Sequence, residues 1–158
     1  MHRATILCLK ALLVVMFGLL LVAQVVLIPQ VARSTALLFP EFAQLEVPGI
    51  VIAVAFLACV QVVLVCLWRL LSMVRVSTIF SARAFVWVDV ILGAIIAATL
   101  LLAAAMVILT ISGASNPGIA LLFCFGIVVG AGLALVIVVM RGLLRNARTL
   151  QEEMAEVV

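Results

Sequence analysis

Apolar residues fill this chain in four long runs, Ala11–Val31, Gly49–Trp68, Phe85–Ile111 and Gly118–Met140. Between them lie short stretches where charge, proline and glycine collect. At 1.5 Å rise per residue, each run is long enough to cross a hydrocarbon core about 30 Å thick as a helix. Lipid offers no water to backbone polar groups, so a spanning segment must bond to itself, as an α-helix does. The pattern predicts an all-α, integral membrane four-helix bundle, a single transmembrane domain over residues 1–158.

The boundaries have their own signals. His2, Arg3 and Lys10 precede the first run as the basic start of a signal peptide would. The run then continues for about twenty residues, past the 7–15 of a secretory apolar core, so it is expected to persist as a span. Pro29 falls near the outer end of this span, where a helix can stop. The segment Ala32–Pro48 mixes Arg33, Pro40, Glu41, Glu46 and Pro48 with Leu37, Leu38, Phe39 and Phe42. It should lie against the membrane surface, in part as a short interfacial helix. Trp68-Arg69 closes the second run, and Phe85 and Trp87 open the third, which are aromatic-belt positions. Ser112–Gly118 reads as a tight turn between the last two runs.

Charge sets the orientation. Arg3, Lys10, Arg69, Arg75, Arg83, Arg141, Arg145 and Arg148 fall on one side, and only Arg33 on the other. Basic residues are retained in the cytoplasm, which predicts both termini and the middle loop inside.

Composition then removes whole classes. With 158 residues, 70% hydrophobic and 9% charged, the chain is far from the half-apolar, quarter-charged make-up of a soluble domain. The net charge of +3 follows from topology. Tyrosine is absent and no basic patch is interleaved with aromatics, so no direct nucleic-acid binding is expected. Cys8, Cys59, Cys66 and Cys124 form no Cys-x-x-Cys pair, and the sole histidine is His2. Neither a metal site nor a cofactor is expected. The thiols read as small hydrophobes. Cys59 and Cys66 lie two helical turns apart, about 10 Å, too far for a disulfide.

Inside the spans, hydrophobic burial cannot drive association, because lipid is as apolar as leucine. Close backbone approach and polar contacts must do it. Gly126 and Gly130 form a small-residue stripe on the fourth span, and Gly93 with Ala97, or Ala94 with Ala98, on the third. The two stripes are expected to pack as an antiparallel hairpin. Gln24 and Gln61 should bond each other or a backbone carbonyl, or else line a polar path. Asp89 is the one acid within a run, about a turn inside Phe85, and should pair with Arg69, Arg141 or Arg145.

Beyond the fourth span, residues 141–158 form a short helical extension. Leu143, Ala147, Leu150, Met154 and Val157 recur at heptad-like spacing, with Arg145, Arg148, Glu152 and Glu153 off that seam. The seam either docks a partner or packs on the middle loop or membrane surface.

The chain resembles a bacterial family known as domain-of-unknown-function family 2975. The resemblance rests on Pro29…Pro40-Glu41…Pro48, Trp68-Arg69-Leu70-Leu71, Ile79-Phe80-Ser81, and Leu143-Leu144…Ala147…Leu150-Gln151-Glu152-Glu153-Met154. It implies a small four-span protein of the bacterial inner membrane, encoded beside a helix-turn-helix regulator of the Cro/C1 type. Family tails end more acidic than Ala155-Glu156-Val157-Val158 does here. Ser81 fits as the cap of a helix beginning at Ala82, with Phe80 stapled onto its first turns.

Three functions follow as expectations. The first is a non-catalytic interaction or regulatory protein, presenting its cytoplasmic face to a transcriptional regulator. The second is a homo-oligomeric transporter or channel component, or an accessory unit of another membrane complex. The third, an intramembrane enzyme, lacks both a nucleophile–base pair and a metal cluster in the spans, and catalysis is not expected.

Overall fold

The computed structural model describes the backbone of residues 3–38, 40–74, 82–113 and 117–155. Within these it describes the side chains of residues 7–38, 40, 43–72, 86–113 and 117–143. Every described stretch is helical apart from one tight turn, and no strand occurs among them. Helix α1 (Arg3–Val22) leads through a π-turn (Ala23–Leu27) into α2 (Ile28–Leu38). A 3-10 turn (Pro40–Leu45) precedes α3 (Glu46–Val74). Helix α4 (Ala82–Ile111) and helix α5 (Pro117–Ala155) complete the chain. Four stretches are long and apolar enough to cross a membrane: Leu7–Leu38, Ala43–Ser72, Val86–Ile111 and Pro117–Leu143.

The first of these corrects an expectation. Pro29 does not end its helix. Proline has no N–H to give the carbonyl four residues back, and its ring crowds that carbonyl. The chain widens by one residue instead: the Ile28 N–H bonds to the Ala23 carbonyl, five residues earlier. Helix then resumes through Leu38. The span is therefore longer than Ala11–Val31, and the outer segment shrinks to the 3-10 turn from Pro40.

The other ends follow ordinary rules. Glu46 and Pro48 sit in the first turn of α3, where acid suits the helix dipole and the missing proline N–H would have been unbonded anyway. Helix α4 starts at Ala82. The proposed cap at Ser81 and staple at Phe80 lie outside the described residues. Gly113 ends the turn after α4 at φ +69°, a left-handed conformation that glycine adopts freely, and Pro117 opens α5.

The helices meet in chain order. Close backbone approaches join α1 and α2 to α3, α3 to α4, and α4 to α5, and among the described residues no others join the spans. The bundle is thus open on one side. Among the described residues, four apolar side chains are buried: Leu13, Leu64, Cys66 and Ile91. All lie in the half nearest the chain termini. Many large apolar side chains in both halves face outward, as lipid-facing surfaces do.

The contact of α4 with α5 is set by the glycine stripe of α5, though not against Gly93 and Ala97. A Cβ at Gly130 would overlap Thr99 Oγ1, and one at Gly126 would lie 3.1 Å from Leu102 Cδ1. Gly93 and Ala97 are exposed, and a Cβ at Gly93 would meet nothing. Their face of α4 points away from α5. Ala94 and Ala98 instead line a groove shared with α3 and α5. Replacing Gly130 with Leu should destabilise the protein by about 1–3 kcal/mol, the usual penalty of overpacking. Gly93→Leu should be near neutral. Denaturation in mild detergent checks the pair, and equal effects would remove the stripe from the interface.

Candidate functional site

Polar side chains join neighbouring helices at two depths. The first is a belt at the end that bears the termini. Lys10 on α1 donates from Nζ to Ser72 Oγ on α3 at 2.9 Å, and its ammonium sits 5.2 Å from the centroid of Trp68. Ser72 Oγ donates in turn to the Trp68 carbonyl at 2.9 Å. Arg69 on α3 places its guanidinium 5.7 Å from the Trp87 ring on α4. Asp89 on α4 pairs with Arg141 on α5, Oδ1 to Nη1 at 2.5 Å. Each neighbouring pair of spans thus receives one clasp, all at one level.

The clasps suit an interface. A cation over an aromatic face contributes about 0.5–2 kcal/mol, more where water is excluded. Asp89 and Arg141 are 43% and 42% exposed, so in water their pair would add only about 0–1 kcal/mol. Each buried side chain lies within about one turn of a clasp on its own helix. Leu13 follows Lys10, Leu64 and Cys66 precede Trp68, and Ile91 follows Asp89. The clasps and the tight packing therefore form one layer.

The second depth is deeper in the spans. Gln61 Nε2 on α3 donates to Gln24 Oε1 at 3.0 Å, and Gln24 Nε2 donates to the Val54 carbonyl at 3.3 Å. Gln24 stands in the π-turn, so the irregularity forced by Pro29 and the polar contact to α3 share one place. Both glutamines are half-buried.

Of the three expected partners of Asp89, the structure selects Arg141. Arg69 is turned to Trp87 instead. The side chains of Arg145, Ala147, Leu150 and Met154 lie outside the described residues, as does Val157 altogether. Leu143, at the start of the seam, is exposed. The roles of Lys10, Ser72 and Thr99 escaped the sequence reading. Lys10 was legible as a basic flank and Trp68 as a belt residue, and their shared side of the membrane was the signal that could have joined them. Thr99 gave none.

No group of three or more His, Cys, Asp or Glu side chains that could hold a metal gathers among the described residues. At the opposite end lies an apolar cleft of about 650 Å³ between α2, α3 and the tips of α4 and α5. Its rim carries Thr35 and Glu46. Thr35 Oγ1 is committed to the Val31 carbonyl at 2.8 Å.

Four long apolar helices, clasped at a common level by cation–ring and ion pairs, define a multi-pass membrane protein. The chain belongs to the family described as protein of unknown function, DUF2975, whose model matches residues 30–158. No curated protein and no solved structure matches it. The family match takes in α3, α4 and α5 with Gln61, Trp68, Trp87, Asp89 and Arg141. Helix α1 with Lys10, and the π-turn with Gln24, precede it.

The glutamine contact is testable alone. Gln24→Leu and Gln61→Leu should couple by on the order of 1 kcal/mol in a double-mutant cycle of unfolding in detergent, the scale of hydrogen bonds between membrane helices. Strictly additive effects would mean that the two amides do not meet.

Proposed function

We propose that this chain is a non-catalytic membrane protein of the bacterial inner membrane that acts by presenting its termini-bearing end to a cytoplasmic partner. One observation carries the reading. Among the described residues, seven of α4 precede Asp89, whereas fourteen of α5 follow its partner Arg141. From that shared level, α5 outruns α4 by about 10 Å. This projecting stretch bears the seam of Leu143, Ala147, Leu150 and Met154. The excess of arginine and lysine at this end supports a cytoplasmic orientation. The clasp belt gives the projecting helix a firm base.

The partner best suited to such a helix offers an apolar groove rimmed by charge. A helix-turn-helix regulator is the candidate that the family resemblance suggests. The transporter reading draws less support, because the Gln24 and Gln61 amides bond each other and the Val54 carbonyl.

In-cell crosslinking followed by mild-detergent pull-down, with the full chain and with a truncation after Leu144, tests this. A soluble partner recovered by the full chain should fall at least tenfold on truncation. Recovery only of the chain itself, or of membrane subunits irrespective of the tail, would overturn the reading in favour of an oligomeric or accessory role.

A further inference from the structure

The cleft at the end opposite the clasps is lined by Leu27, Ile28, Val31, Ile50, Ala53 and Leu109 among others, and among the described residues only Thr35 and Glu46 bring polar side chains to it. It adjoins a second apolar cleft of about 290 Å³, sharing Leu45, Gly49, Ala53 and Leu109. That one adjoins a third, of about 270 Å³, through Phe56 and Leu102. On α3 the series runs from Glu46 to Val63, which is about 25 Å along the helix axis. This exceeds one leaflet of a hydrocarbon core about 30 Å thick. The largest cleft falls within the usual range of ligand sites, about 300–1,000 Å³.

We propose that this groove holds one phospholipid, its acyl chain along α3 and its primary ammonium headgroup on the Glu46 carboxylate. Glu46 lies three residues inside the start of the second span at Ala43, the end where headgroups would meet it. Among the described residues it is the one charged side chain lining the groove, and its carboxylate makes no ion pair or hydrogen bond with them. Its full negative charge exceeds the partial positive charge of about one half at the start of its own helix. A primary ammonium supplies three donors to such a carboxylate. Arg33, the basic residue nearest in sequence, does not line the groove. The proposal is independent of the regulatory reading, since the groove and the tail lie at opposite ends.

Native mass spectrometry of the delipidated full chain in detergent tests this. The probes are phosphatidylethanolamine and phosphatidylglycerol with identical acyl chains. The wild type should retain phosphatidylethanolamine at least fivefold better. Glu46→Gln should bring the two within twofold. Gly49→Phe should abolish retention of both, because Gly49 lines the first two clefts and a Cβ there meets nothing within 4 Å. Retention independent of headgroup, or unchanged by either substitution, would overturn the proposal. So would a lipid-free dimer separated by Gly49→Phe, which would mean that a second copy covers the groove.

Discussion

Everything else in this protein depends on the row of clasps at the termini-bearing end. Lys10 on Trp68 and Ser72, Arg69 on Trp87, and Asp89 on Arg141 join α1 to α3, α3 to α4 and α4 to α5. In water these contacts would be marginal. In a membrane they replace the hydrophobic driving force that apolar helices cannot use on one another. Their common level follows from the chemistry, because cations and indoles both favour the boundary between headgroups and hydrocarbon. The four buried side chains gather beside them, so close packing occurs where polar contacts have already fixed the helices.

Away from the belt, different means take over. Between α4 and α5, the absence of side chains at Gly126 and Gly130 lets Leu102 and Thr99 come close. Between the first span and α3, the glutamine pair provides a directional contact in a medium that penalises unpaired amides. The π-turn belongs to the same design. Pro29 disturbs the helix where Gln24 must reach α3, and a one-residue widening accommodates the loss of its N–H. Towards the far end these devices give out, and the helices leave an apolar groove with the Glu46 carboxylate at its mouth.

Much of this was legible in the residues because lipid imposes blunt rules. Length and apolarity placed all four spans, and aromatic–arginine junctions marked their ends. Asp89 was narrowed to three partners by level alone, but choosing Arg141 over Arg69 required knowing which way each helix turns. The same rotation decided that Thr99 and Leu102, not Gly93 and Ala97, face the α5 glycines. Membrane helices are apolar all round, so their periodicity carries little information about which face meets a neighbour. Pro29 misled for another reason: the usual rule that proline stops a helix weakens where a π-turn can absorb it.

The central claim is that the bundle is fixed at the clasped end and looser at the other. Pulsed dipolar spin-label distances in a lipid bilayer test it directly, in a background where the native cysteines are replaced. One label pair at Leu9 and Leu143 reports the clasped ends of the first and fourth spans, and a second at Leu37 and Leu121 reports the far ends; all four positions are exposed. Fewer buried contacts mean lower local stability. A narrow distribution for the first pair and a clearly broader one for the second is predicted. Equal widths, or a narrower distribution at the far end, would contradict the account.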